Sequence, residues 1–298
     1  MIALKEGKFE IAVFTCYIGK KLSPSYNPMR KKVPLLALLT DFGVHDHYVG
    51  TMKGVILSIN PQACIVDISH DVEPQNVSQA GYLLWSSYRY FPSGTIFVCV
   101  VDPGVGSSRP IIAVRTEHHV FIAPENGLLD YILAEEEIKK AVRVEYHSHS
   151  SAQKYLLQTI SSSFHGRDVF APLAAHLSLG ISLTKIGSPV KLPDTKSLFV
   201  NLSSSTDRAK IIHIDHFGNL ITNIRVRGNH KIFDSVSCIL GKKSITRWIR
   251  FYDEAPSNSP CLIVGSSNLI EIVVKNNNAA KLLSARVGMN VHLHKKGR

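Results

Sequence analysis

TIFVCVVDPGVGSSR, residues 95–109, opens with seven apolar or β-branched residues, Thr95 to Val101, whose apolar positions do not follow helical spacing. Such an unbroken run reads as a strand buried on both faces of a sheet. Asp102 ends the run, and Pro103, Gly104, Val105 and Gly106 turn the chain sharply. A carboxylate just beyond a buried parallel strand stands where open α/β sheets hold their ligands. Arg109 follows seven residues later, close enough for its guanidinium to fold back toward Asp102. An ordinary strand and turn with a structural Asp–Arg pair would carry the same residues.

Upstream, Val33 to Leu39 reads as a second buried strand that runs into Thr40-Asp41-Phe42-Gly43, placing another carboxylate at a strand end. Apolar residues then recur at Val49, Met52, Val55, Ile56 and Ile59, which is helical spacing, and Pro61 closes that helix. Cys64 to Ile68 is a further strand, and Asn76 stands where it can cap a helix carrying Val77, Ala80, Leu83 and Leu84. Downstream come strands at Ile111–Val114, Val120–Ala123 and Val142–Tyr146, with a helix through Leu128, Leu129, Ile132 and Leu133. Residues 147–163 read as a polar loop, after which Phe164 to Asp168 opens a helix ending at Gly180. Strands alternating with helices over residues 33–186 predict a mostly parallel sheet covered on both faces.

The texture changes after that. Residues 187–208 read as a linker, and 209–296 carry short, closely spaced strand-like runs separated by turns such as Phe217-Gly218-Asn219. That pattern predicts a small antiparallel β domain, a barrel or a sandwich. Residues 1–32 mix Lys-rich pieces with one short apolar patch and read as a poorly ordered extension, with Met29 an alternative start.

The 298 residues carry a net charge of +11, which invites a nucleic-acid partner. The basic residues are scattered, however, and dense only at Lys20-Lys21, Arg30-Lys31-Lys32 and the tail from Lys295 to Arg298. No helix-turn-helix, zinc-finger or RNA-recognition pattern accompanies them, so no nucleic acid is expected as a partner. No apolar run approaches the roughly 18 residues that span a bilayer, so no membrane is expected either. Five widely spaced cysteines, mostly inside apolar runs, have the pattern of free thiols in a reducing, cytoplasmic compartment.

Polar groups fall at strand ends or helix starts in three places: Asp41, Asp102 with Arg109, and His165. His165 could equally cap the helix that follows it. His45, Asp46, His47, Asp67, His70 and Asp71 are all potential metal ligands, yet their spacing matches no helical His pair and carboxylates outnumber what a zinc site takes. No metal is therefore expected. There is no G-x-S-x-G elbow for a serine nucleophile, and Gly104-Val105-Gly106 lacks the rest of a dinucleotide fingerprint.

Five motifs occur in order: Thr40-Asp41-Phe42-Gly43, Val101-Asp102-Pro103-Gly104-Val105-Gly106, Pro124-Glu125-Asn126-Gly127, Ser163-Phe164-His165-Gly166-Arg167-Asp168 and Ile214-Asp215-His216-Phe217-Gly218-Asn219. Over about residues 33–296 the chain resembles the S-adenosylmethionine hydroxide adenosyltransferase family, relatives of the fluorinase and chlorinase enzymes. The resemblance implies an N-terminal α/β domain, a C-terminal antiparallel β-barrel, and a homotrimer with sites between subunits. It implies hydrolysis of S-adenosylmethionine to adenosine and L-methionine, with no cofactor. The family's Asp–Arg–His triad matches Asp102, Arg109 and His165.

The same resemblance assigns substrate contacts. Asp41 matches the carboxylate on the ribose hydroxyls, and Asp215 the group holding the methionine ammonium. Asn126 falls among the binding positions, and Phe217 and Asn219 match residues near adenine. The carboxylate contact is expected at Ser266 and Ser267, and a backbone contact to adenine near Asn276, where Lys275-Asn276-Asn277-Asn278 departs from the family in its polarity. Halogenating relatives carry Tyr in place of Asp102, Thr in place of Val105 and Tyr-Ser in place of His165-Gly166, so a halide-using enzyme is the alternative within the fold. A non-catalytic S-adenosylmethionine or adenosine binding protein is the alternative outside it. The complete triad favours the hydrolase.

Overall fold

A computed structural model describes residues 34–146, 150–192, 195, 197–201, 208–226 and 236–295. The expected extension over 1–32 lies outside them. The first part of the chain runs through β1 (Leu35–Thr40), α1 (Tyr48–Ile59), β2 (Cys64–Ser69), α2 (Val77–Ser87), β3 (Ile96–Val100) and β4 (Ile111–Arg115). It continues with β5 (Val120–Pro124), α3 (Asp130–Leu133), β6 (Lys140–Val144), α4 (Ala171–Ser178) and β7 (Gly187–Pro189). These seven strands form one sheet in the order β2-β1-β3-β5-β4-β6-β7.

Four of them, β2, β1, β3 and β5, run parallel, whereas β4, β6 and β7 add antiparallel pairs. Connection length explains the switch. Only residues 116–119 separate β4 from β5, and a parallel pair needs a crossover of about a dozen residues. Every residue of β3 and β5 is buried, as the unbroken apolar runs demand. Alternate side chains of each strand face opposite layers. Leu36, Leu38, Val98 and Ile122 meet Met52, Ile56, Leu173 and Ala174 of α1 and α4. On the other face Ala37, Leu39, Phe97 and Phe121 meet Leu84 and Trp85 of α2. Asn76 caps α2 as expected, its side-chain oxygen accepting from the Gln79 N–H at 3.0 Å.

The second part holds β8 (Val200–Asn201), β9 (Ile211–Ile214), β10 (Leu220–Arg225), β11 (Val236–Leu240), β12 (Lys243–Ile245), β13 (Pro260–Val264), β14 (Leu269–Val274), α5 (Ala279–Leu283) and β15 (Val291–Lys295). The expected closed barrel is not shown. Among the described residues the strands form two open sheets, β13-β14-β10-β8 with β9 also on β10, and β12-β11-β15. Two sheets that face each other already bury Ile211, Leu220, Cys238, Leu262, Ile272 and Val291, so core formation does not require closure. Within the expected linker, Gly187–Pro189 pairs with β6 and Val200–Asn201 with β10. Gly187 is required there, because a Cβ on it would run into the Arg143 carbonyl.

The two parts share a core. Phe199, Ile212, Ile221 and Leu269 join the α2 face of the large sheet. Glu135 clamps this seam: it accepts from Trp85 Nε1 at 2.8 Å and from Arg89 at 2.5 Å, and it pairs with Arg225. Burial raises the Glu135 carboxyl, but the hydrogen bonds from Trp85, Arg225 and Arg89 outweigh it and hold the group below its usual range. The Arg225 guanidinium also lies 3.9 Å from the centre of the Phe199 ring. Without Arg225, Glu135 keeps Trp85 and Arg89 but loses one charge-assisted hydrogen bond, and Phe199 loses the guanidinium packed on its ring. Arg225→Ala is therefore expected to lose about 2 kcal/mol in urea unfolding. A loss under about 1 kcal/mol, the worth of a surface pair, would show that the seam does not depend on it.

Candidate active site

The parallel register collects the first group of polar residues. Thr40 of β1 stands opposite Val100 of β3, and Val98 opposite Ile122 of β5. Asp41, Asp102 and Asn126 therefore leave the sheet along one edge. Asn126 is fully engaged in shaping that edge: its side-chain N–H donates to the Val101 carbonyl at 2.9 Å and its oxygen accepts from Leu128 N–H at 3.3 Å. Asp41 accepts from the Gln75 N–H at 2.8 Å. Beside it, Phe42, Tyr48 and Phe164 form an aromatic cluster with ring centres 5.1–6.0 Å apart.

The structure brings Asp102, Arg109 and His165 together. Arg109 pairs with Asp102, whose side chain is only 4% exposed, and its other terminal nitrogen donates to the Pro110 carbonyl at 2.5 Å. Gly106, at φ +79°, lets this turn lie flush on the segment leading to His165, since a Cβ there would overlap the Ser162 carbonyl. His165 begins a π-helical turn, Gly166–Phe170, that feeds α4. Its ring is buried against Tyr146, with centres 5.3 Å apart, and the Tyr146 hydroxyl donates to the Arg109 carbonyl at 3.4 Å. Among the described residues His165 Nδ1 finds no hydrogen-bond partner.

Charge follows from this geometry. Burial, helped by the Arg109 cation, pushes the His165 imidazole below its ordinary value, against the pull of Asp102. The ring is thus neutral near pH 7 and able to accept a proton. Burial raises the Asp102 carboxyl even with Arg109 beside it.

A second group sits on the β part. Asp215 follows β9 and accepts from the N–H groups of Phe217 (3.0 Å) and Asn219 (2.8 Å) and from the Asn219 side chain (2.9 Å). It lines a cavity of about 440 Å³ with Ser266, His213, Tyr82, Tyr252 and Glu271. Ser267 lies close enough to the Tyr82 hydroxyl to offset part of the upward push that burial gives its pKa. Phe217 is 74% exposed, and Asn276 is exposed in the left-handed region at φ 55°. A larger cavity, about 650 Å³, runs between α2, α3 and β9; of the expected site residues only Asn126 reaches it.

Sequence reasoning missed Tyr82, Tyr146, Tyr252 and Glu271. For Glu271 a signal existed, a carboxylate interrupting the apolar strand Leu269–Val274; the tyrosines gave none. The residues weighed as metal ligands go elsewhere: His70 bonds Thr40 at 2.8 Å, and Asp67 pairs with Lys53 at 2.6 Å. Among the described residues no three His, Cys, Asp or Glu side chains group closely enough to hold an ion.

A parallel-rich sheet with a buried Asp–Arg–His cluster at its edge, joined to a β unit with an acidic cavity, defines a two-part α/β class. Residues 36–187 match the SAM hydroxide adenosyltransferase N-terminal domain and 209–292 the C-terminal domain; the chain belongs to that family. It is 33% identical to a Methanocaldococcus jannaschii protein named (R)-S-adenosyl-L-methionine hydrolase, over 84% of this chain and 92% of that one. A Thermus thermophilus protein of the same name is 32% identical, over 86% and 97%. A Nocardia brasiliensis fluorinase is 28% identical, over 64% of this chain and 71% of its own. An uncharacterized conserved protein from Thermotoga maritima superposes with a TM-score of 0.77 at 31% identity, covering 87% of this chain and all of that one.

Gly106→Ala tests how the cluster is assembled. The methyl group must push the Asp102–Arg109 turn off Ser162, so turnover should fall at least about tenfold, equivalent to about 1.4 kcal/mol of transition-state stabilisation. Wild-type turnover in the variant would show that this close approach is dispensable.

Proposed function

We propose that this chain hydrolyses S-adenosyl-L-methionine, in the (R) sulfonium form for which its relatives are named, to adenosine and L-methionine. The observation that carries the reading is a buried, neutral His165, its Nδ1 without a partner among the described residues, beside the Asp102–Arg109 pair. A water oxygen attacks the ribose 5′ carbon, the carbon–sulfur bond breaks, and its electron pair neutralises the sulfonium. The leaving group is a neutral thioether and needs no acid. The nucleophile needs help, because bulk water has a pKa of about 15.7. His165 accepts the water's proton, Asp102 orients the water, and Arg109 favours developing hydroxide. No cofactor or metal enters this scheme, and chelation should leave activity unchanged.

Asp41 holds the ribose hydroxyls, Asp215 the methionine ammonium and Ser266 with Ser267 its carboxylate. Asn219, Phe217 and the backbone near Asn276 serve adenine. Asn126 contributes by fixing the Val101 carbonyl. We further propose a cytoplasmic homotrimer in which the triad edge of one chain faces the Asp215 cavity of its neighbour; free thiols among the described residues support the compartment, and the division of the ligand motifs between the two parts of a chain of this family supports the assembly. Gly166 speaks against the halide alternative. A Cβ on it would come within 3.0 Å of Phe42 and 3.1 Å of Met52, so the halogenase-type serine would require both side chains to give way.

Oxygen-18 from labelled water should appear in the adenosine 5′ hydroxyl, with no chloroadenosine formed in added chloride; unlabelled product from a turning-over sample would end the hydrolase reading. His165→Ala and Asp102→Asn should each cut kcat by about 100-fold or more with little change in KM. Because burial and then Arg109 lower the His165 pKa, activity should persist on the acid side to below the ordinary imidazole range of about 6.5. Mixed trimers of Asp102→Ala and Asp215→Ala chains should recover activity through sites that draw one intact group from each chain. Verified mixed trimers that stay inactive would place each whole site within one chain.

A further inference from the structure

Glu271 is the one charged residue in β14, and it turns into the cavity that Asp215 lines. A Cβ built on Gly265 would overlap its carboxyl group, so that group lies directly beneath the Gly265–Ser267 turn. The groups facing it come from every element around the cavity: Asp215 from the turn after β9, His213 from β9, Tyr82 from α2 and Tyr252 from the short helical turn Tyr252–Glu254. Glu271 and Asp215 both act on the two tyrosine hydroxyls. Among the described residues no lysine or arginine lines this cavity. Asp215 is held by three N–H donors, whereas no described residue donates to Glu271.

We infer that Glu271 is a second binding residue for the substrate's ammonium group, forming with Asp215 a two-carboxylate cradle that reads the positive end of the amino-acid portion and sets specificity for it. The inference rests on placing that portion in this cavity, as proposed above. An alkylammonium between two carboxylates and two tyrosine rings gains charge-assisted hydrogen bonds and ring contacts. A ligand carboxylate gains little among like charges, since the serine hydroxyls are neutral donors. The cavity therefore demands the amine more than it demands the carboxylate.

Two neighbouring carboxylates without a cation hold on to a proton between them. Burial, with the charge of Asp215, pushes Glu271 up to about 7. An entering ammonium displaces that proton. Its own pKa is about 7.7–8.0, so it stays charged while Glu271 ionises. Tyr82 and Tyr252 are pushed up and His213 is pushed down, which leaves Glu271 as the lining group that titrates between pH 6 and 7.5. Substrate binding should tighten as the pH rises through this interval.

The test uses the full-length protein in steady state with three sulfonium ligands: the substrate, its desamino analogue and its carboxylate-free aminopropyl analogue. In wild type, the desamino analogue should lose at least about tenfold more kcat/KM than the aminopropyl one, a difference of about 1.4 kcal/mol. KM for the substrate should fall severalfold from pH 6 to 7.5. Glu271→Gln should raise KM about tenfold at pH 7.5, flatten its pH dependence and leave kcat within about twofold, the signature of lost ground-state binding. Asp215→Asn is measured alongside. If it raises KM while Glu271→Gln changes neither KM nor its pH dependence, the role of Glu271 is overturned and the placement of the amino-acid portion stands. If both variants bind like wild type, the placement fails with it. A desamino analogue that matches the aminopropyl one overturns the inference without any substitution.

Discussion

The ion pair between Asp102 and Arg109 is the constraint on which the rest of the site depends. Asp102 is almost wholly withdrawn from water, so its charge is tolerable only with a cation and donors fixed beside it. The Gly104 N–H and Arg109 supply these, and the turn that brings Arg109 back must be tight enough to lie on Ser162. Once Arg109 is fixed there, its positive field reaches His165 and adds to burial in keeping the ring neutral. One pairing therefore sets a carboxylate, a cation and a base in mutual range.

That pairing in turn relies on the sheet. Parallel neighbours β1, β3 and β5 end in register, so three successive loops meet at one edge, as strand ends of open α/β sheets do. The antiparallel strands β4, β6 and β7 widen the sheet without touching this edge's logic. They do supply Tyr146, just past β6, which leans on His165 and bonds to the Arg109 carbonyl. The β part is held to the opposite face by a shared apolar core and by the Glu135–Arg225 clamp, so the Asp215 cavity borrows Tyr82 from α2.

Local signals carried much of this into the sequence. The unbroken apolar runs of β1, β3 and β5 identified buried strands, and the polar residues just beyond them, Asp41, Asp102 and Asn126, are the candidates that meet at one edge. Asn76 announced its cap because an N-cap is satisfied within four residues. Long-range pairing was not legible. Nothing local distinguishes two facing sheets from a closed barrel, since both bury the same alternate residues. The antiparallel half of the large sheet was hidden for a related reason: only the brevity of residues 116–119 announces it. Tyr82 and Tyr252 reach the acidic cavity from elements far apart in sequence, Tyr82 at ordinary core spacing and Tyr252 from an exposed turn, so neither carries a local signal.

The two groups of residues divide the work by charge. S-adenosylmethionine carries a sulfonium that must lose its charge and an ammonium that must keep it. At the sheet edge, burial favours neutrality: His165 is held uncharged, and in the proposed reaction attack on the ribose carbon brings hydroxide character and sulfonium together to cancel. A dry, rigid setting favours such a charge-annihilating step. In the β cavity, by contrast, two carboxylates face one space without a cation, an arrangement that is unfavourable alone and becomes favourable when an ammonium enters. On the proposed placement of the substrate, binding strength is concentrated at the end that does not react, and the reacting end is left to groups that act mainly in the transition state. That separation lets affinity for the amine change without altering the chemistry at carbon.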